Sequence, residues 1–307
     1  MATSPPQKPE PPTDPRTIQP GGEGSQALYL RLLNEQLVGW DNPRAMLERA
    51  LAQDQFLLLG QKILSLKPGA ADPLCYEVLL RLKQEEANLL PPGGFFPIAE
   101  SLGLLPDIDR WVVRNVIAWG AAVAKKNPAA RLPLLCVNLS GETFEDRSFV
   151  TFVNEQLDTS GLPKRSLCFE VSEIDVIEYQ RRAREFIAAV RPRCRVTLDA
   201  FGSVKVSFAH LAGMTVDFIK IDGVVTQGIL RDPATLAKVR AINAACQKMG
   251  IKTIAEFVES KELLDKLREI GVDYAQGFGI ARPESFERML EADAAAGRRR
   301  AERGPRA

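Results

Sequence analysis

Residues 217–256 read DFIKIDGVVTQGILRDPATLAKVRAINAACQKMGIKTIAE. Two short apolar runs, 217–221 and 252–255, flank a stretch, 233–249, whose apolar residues recur at helical spacing. The same rhythm continues along the chain. Further short apolar runs fall at 56–64, 74–80, 133–139, 167–171, 195–198 and 274–277, which makes eight strand candidates. Helical patterns occupy 108–125, 149–157 and 177–190 between the later runs. Strands that alternate with helices imply a mostly parallel sheet. The first two runs are joined only by a segment at 65–73, which suits an antiparallel hairpin.

Eight such runs in one chain favour a closed barrel over an open sheet. The expected fold is therefore α/β, a TIM-like (β/α)8 barrel with its first strand antiparallel, preceded by N-terminal helices. One of these helices is expected at 25–40, where Leu28, Leu30, Leu32, Leu33 and Leu37 recur. Another is expected at 43–53, capped by Asp41 or Asn42. The first reads either as a packed cap of the barrel or as a partner- or dimer-contacting helix. Residues 1–24, rich in Pro, Gly, Ser and Thr, read as a disordered tail. The barrel domain is expected over 25–287, and 288–307 as a helix end followed by a basic disordered tail.

Composition narrows the function classes. The chain has 307 residues, 45% of them hydrophobic, enough for one well-buried core. Its net charge of +1 gives no global attraction to nucleic acid or to an acidic membrane. No apolar stretch is long enough for a membrane span, and the N-terminus lacks a hydrophobic signal region. The cysteines, at 75, 136, 168, 194 and 246, form no CxxC pair and read as reduced core residues of a cytoplasmic protein. The single histidine, His210, rules out His-rich zinc sites and makes a Ser-His-Asp triad a poor reading. It reads as a packing residue, and Trp111 and Trp119 read as core.

In such barrels the functional side chains gather at the C-terminal strand ends. These ends carry Asn138, Glu170, Asp199, Lys220, Glu256 and Gln276. A buried carboxylate costs several kcal/mol unless it is paired or bound to metal. Taken singly, Asn138 could cap a turn and Glu170 could pair with a lysine. Together, on successive strands, they point to a shared site. With Glu77 added, the carboxylate and amide oxygens suit Mg²⁺ or Mn²⁺ rather than zinc. Lys220 could hold a water or a phosphate oxygen. Metal-assisted hydrolysis of a phosphodiester is the implied chemistry.

Tyr76-Glu77-Val78-Leu79-Leu80-Arg81 resembles the Glu-Ala-Leu-x-Arg signature of the EAL family of bacterial cyclic di-GMP proteins, with Val at the Ala position. The likeness spans 47–283 and includes Gln61, Phe96-Pro97-Ile98-Ala99-Glu100, Asn138-Leu139-Ser140 and Glu170-Val171-Ser172-Glu173. It continues through Phe218-Ile219-Lys220-Ile221-Asp222, Ala255-Glu256-Phe257-Val258-Glu259 and Gln276-Gly277. The resemblance implies a cyclic di-GMP site at the barrel mouth. Glu77, Asn138, Glu170 and Asp199 would ligate a divalent ion. Glu77, Lys220 and Glu256 would be the catalytic residues of an active member. Gln61, Glu77, Val78, Leu79, Arg81, Asn138, Asp222, Glu256, Gln276, Gly277, Phe278 and Pro283 would contact the ligand. Asp222 could equally cap a turn. Glu173 would brace the loop after the fifth strand, and Glu259 would lie behind the site.

That loop departs from the family's Asp-Asp-Phe-Gly-Thr-Gly pattern. Here it reads Asp199-Ala200-Phe201-Gly202-Ser203-Val204. Ala200 removes a carboxylate, and Val204 puts a β-branched residue where glycine is usual. The expected function is a cyclic di-GMP receptor with little or no hydrolysis that signals to a protein partner, with a homodimer possible. The alternatives are an active Mg²⁺- or Mn²⁺-dependent phosphodiesterase releasing linear pGpG, and a protein-interaction domain that has lost the ligand.

Overall fold

A computed structural model describes residues 42–67, 75–83, 94–126, 132–203 and 207–289. The expected tails, the helix at 25–40, most of the 65–73 connection and Val204 lie outside the described residues. Strands β1 (Phe56–Ser65), β2 (Cys75–Leu82), β3 (Leu134–Leu139), β4 (Leu167–Ser172), β5 (Arg195–Phe201), β6 (Phe218–Ile221), β7 (Lys252–Ala255) and β8 (Tyr274–Ala275) form the barrel. β2 to β8 pair in sequence order, each parallel to the next. β1 closes the ring, antiparallel to both β2 and β8. The eight-stranded barrel and its antiparallel first strand are as expected. A ninth strand, β9 (Glu284–Ser285), pairs with β1 at Leu59 and Gly60 and was not anticipated.

The helices are α1 (Pro43–Ala52), α2 (Phe96–Ser101), α3 (Leu105–Lys126), α4 (Phe149–Ser160), α5 (Glu173–Glu178), α6 (Gln180–Val190), α7 (Gly223–Gly228), α8 (Pro233–Met249) and α9 (Lys261–Ile270). Local chemistry sets their ends. In α1 the Asn42 side chain accepts the Ala45 amide. In α8 the Asp232 carboxylate accepts the Ala234 and Thr235 amides, each at 3.0 Å. Pro233 opens that helix, and Gly250, at φ +72°, closes it. Val239, Ile242 and Cys246 turn one face of α8 into the core. The single helix expected at 177–190 is instead α5 and α6, broken at Tyr179, whose φ −101° and ψ 31° are not helical.

Strand alternation divides the core in two. Outward residues of the strands join the inward faces of the helices. Inside the barrel, Ile63, Cys75, Leu134, Cys136, Cys168, Phe218, Ile254 and Tyr274 pack as a separate apolar floor. Thr197 belongs to this layer, with its hydroxyl 3.2 Å from the Cys168 sulfur. All five cysteines are free and buried.

Candidate functional site

Side chains two residues apart on a strand face the same way. Moving two residues from the floor toward the barrel mouth therefore gives the next luminal layer. Ile63 leads to Gln61, Cys75 to Glu77, Cys136 to Asn138 and Cys168 to Glu170. Thr197 leads to Asp199, Phe218 to Lys220, Ile254 to Glu256 and Tyr274 to Gln276. Every strand of the barrel, or the residue directly after it in β7 and β8, thus contributes one polar residue to a single ring above an apolar floor.

Lys220 is the hub of that ring and is 1% exposed. Its ammonium lies 3.0 Å from Glu77 Oε2, 3.0 Å from Glu170 Oε2, 3.1 Å from Glu256 Oε1 and 3.6 Å from Asp199 Oδ1. Asn138 donates to Glu77 Oε1 at 2.8 Å. Gln276 donates to Glu77 Oε2 at 2.6 Å and to Gln61 Oε1 at 3.0 Å. Gln61 in turn donates to the Ala281 carbonyl at 3.0 Å.

One ammonium does not balance four carboxylates, and the imbalance displaces their pKa values. Burial pushes Glu170 far above the usual carboxylate range; Lys220 opposes this, while Glu77 and Asp199 add to it. Asp199 is raised by burial in the same way. Burial, with Asp199 and Glu77 adding to it and Lys220 opposing, brings Glu256 to about 7. Glu77 is the exception: burial would raise it, but Lys220 and the bonds from Asn138, Gln276 and Lys220 hold it below the usual value. For Lys220, burial favours the neutral amine, yet the surrounding carboxylates keep its pKa well above that of a free lysine.

A hard divalent cation fits this ring in charge and in donor type. Glu170 Oε1 is buried with no hydrogen-bond partner. Among the described residues, however, no three acidic, cysteine or histidine side chains are disposed as a metal cage. The carboxylate oxygens are drawn onto the Lys220 ammonium instead.

The loop after β5 is strained and clamped. The β5–β6 register shifts between Leu198 and Phe201, and Ala200 within this bulge has φ +54°. The Asp199 carboxylate accepts the Ala200 amide at 2.8 Å. Glu173 accepts the Gly202 amide at 3.0 Å, and Lys238 donates to the Gly202 carbonyl.

Two cavities lie near the ring, one lined by Glu77 and one by the residues that follow it on β2. The first, of about 230 Å³, is lined by Gln61, Glu77, Glu256, Glu259, Gln276, Gly277 and Phe278, and also by Phe257. The second, of about 280 Å³, takes Val78, Leu79, Arg81 and Asn138, with Phe96, Asp109 and Ser140 among its other walls. Asp222 caps α7 by accepting the Val224 and Val225 amides. Pro283, half-buried, precedes β9 and is in neither lining.

The sequence reading assigned no role to Phe257 or Asp109. Phe257 is 45% exposed at φ +52°, and its ring lies over the Gly223 backbone. Its one signal is a large apolar residue placed directly after a strand-ending glutamate. The Asp109 carboxylate accepts from the Ser140 amide, the Ser140 hydroxyl and the Thr143 hydroxyl, and so ties α3 to the end of β3.

Fold and site together define a barrel with an acidic, lysine-centred mouth and two small cavities beside it. The EAL domain family matches residues 44–283, and the chain belongs to that family. It is 32% identical over 244 residues to the cyclic di-GMP phosphodiesterase PdeB of Shewanella oneidensis, covering 79% of this chain and 28% of that protein. The cyclic di-GMP phosphodiesterase PdeF of Escherichia coli is 29% identical over 259 residues, which cover 84% of this chain and 33% of PdeF. The chain therefore spans about a third or less of these relatives. The FimX EAL domain of Pseudomonas aeruginosa bound to c-di-GMP superposes with a TM-score of 0.72 at 31% identity, covering 79% of this chain and 96% of that one. The Xanthomonas citri FimX EAL domain in complex with c-diGMP gives 0.71 at 31% identity, covering 86% and 98%. No helix among the described residues is long and apolar enough to cross a membrane.

Proposed function

We propose that this chain is a receptor for cyclic di-GMP that hydrolyses it slowly or not at all and passes its occupancy to a protein partner. The observation that carries this reading is Ala200. The position after Asp199 has no side-chain oxygen, and its backbone is held at φ +54°. Asparagine and aspartate adopt that conformation far more readily than alanine does. Binding asks for less. The two cavities, Arg81, the Gln61–Gln276–Glu77 chain and the exposed rings of Phe257 and Phe278 supply stacking and hydrogen bonds without the carboxylate that Ala200 lacks.

A second reading rests on a different observation: Glu77, Asn138, Glu170, Asp199, Lys220 and Glu256 are all present and converge. In that reading the chain is a phosphodiesterase yielding linear pGpG. Glu77, Asn138, Glu170 and Asp199 would hold Mg²⁺ or Mn²⁺, and the ion would neutralise phosphate charge and acidify a water. Lys220 would hold that water, and Glu256, on the same ring, would be placed to exchange a proton with it.

Calorimetric titration with cyclic di-GMP, beside a pGpG assay with each ion, separates the two. The receptor reading expects binding with turnover at least 10²-fold below that of an Ala200→Asp, Val204→Gly variant. Fast hydrolysis by the natural chain overturns it. Absence of binding overturns both readings and leaves an interaction domain without ligand.

A further inference from the structure

A dianionic dinucleotide entering the first cavity meets Glu77, Glu256 and Glu259. Lys220 does not answer that charge, since its ammonium is already surrounded by four carboxylates within 3.6 Å. Arg81 lines the second cavity and not the first. Among the described residues no cation lines the first cavity, and Arg282, which contacts one of its walls, stands just behind that lining. The Arg282 guanidinium stands over the Phe278 ring, 5.1 Å from its centroid, and Phe278 lines that cavity.

The backbone carrying Arg282 is pinned on both sides. The amides of Ile280 and Ala281 bond to the Gly277 carbonyl, and the Ala281 carbonyl accepts from Gln61, a residue of the luminal ring. Two residues beyond Arg282, Glu284 pairs with Gly60 of β1. Arg282 is thus an exposed cation on a rigid rim, and its planar head is pre-oriented by an aromatic face. Held in this way, a guanidinium loses little freedom when it takes a phosphate.

We propose that Arg282 is a ligand-contacting residue that donates to a phosphodiester oxygen of the cyclic dinucleotide at the first cavity. This rests on the cyclic di-GMP reading above. The test is calorimetric titration of the full chain with cyclic di-GMP at two ionic strengths, for wild type, Arg282→Gln, Arg282→Lys and Phe278→Leu, with thermal unfolding as a folding control. Arg282→Gln is expected to unfold at the wild-type temperature and to bind about tenfold or more weakly at low salt. The deficit should shrink at high salt, because screening acts on the lost ionic contact. Arg282→Lys should lie between the two, keeping the charge but not the planar fork. Binding by Arg282→Gln within twofold of wild type overturns the proposal while leaving the receptor reading intact. So does a loss that salt does not diminish and that Phe278→Leu reproduces, since Arg282 would then only prop the ring. No binding by wild type removes both.

Discussion

Lys220 answers for more of the site than any other residue. A lysine flanked by Ile219 and Ile221 on a strand has to point into the lumen, and that much follows from alternation alone. What alternation does not give is how many carboxylates meet it, since that depends on the register of five strands. Removing the ammonium leaves those carboxylates buried without a counter-charge. Lys220→Met is expected to destabilise the fold by about 3–5 kcal/mol at neutral pH. The loss should be smaller at pH 5, where the raised carboxyls of Glu170 and Glu256 accept protons, and Mg²⁺ should restore part of it. Urea unfolding at both pH values, with and without the ion, checks this. A loss that ignores both pH and Mg²⁺ would mean packing, rather than charge, is what Lys220 supplies.

At the scale of elements, legibility followed regularity. β7 and α8 begin and end where their patterns do, because both are bounded by strong local signals such as Asp232-Pro233 and Gly250. Gly223–Gly228 has no periodicity to read, since a six-residue helix shows barely one turn and this one exists through its Asp222 cap. Lys261–Ile270 was readable, with Leu263, Leu264, Leu267 and Ile270 at helical spacing, yet no helix was expected there. Phe257 was hidden for another reason: its place depends on a contact between two elements. Its ring lies where a β-carbon on residue 223 would sit. Gly223→Ala should therefore push Phe257 out of its seat, at about 1–3 kcal/mol by analogy with overpacked cores, and weaken cyclic di-GMP binding. In a Phe257→Ala background the same change should be neutral or stabilising, since alanine suits a helix better than glycine. A double-mutant cycle on unfolding temperature decides the matter, and additive effects would exclude the contact.

Across the whole molecule, the barrel confines like charges in a closed ring, and pH is the handle on that arrangement. Glu256 is brought to about 7 from an ordinary 4.5, and Asp109, also raised by burial, to about 6 from 3.8. A carboxyl whose pKa is higher when folded than when unfolded holds its proton more tightly in the folded chain. Its contribution to stability is complete below the unfolded value and is lost as pH rises to the folded value. Metal-free protein should therefore lose stability between about pH 4 and 7, with Glu256 alone accounting for up to about 3 kcal/mol. Glu77, which is lowered, loses its contribution only below 4.5, and Lys220, raised above 10.5, stays charged throughout, so neither reverses the slope. Glu256→Gln should flatten the curve by its own share, while Asp109→Asn removes a share unrelated to the luminal ring. Mg²⁺ bound in the ring would replace the missing positive charge, so its stabilising effect should grow as pH rises from 5 to 7. Thermal unfolding across that range, with Mg²⁺ and with EDTA, gives both slopes. Parallel curves would mean that the ion does not enter the ring.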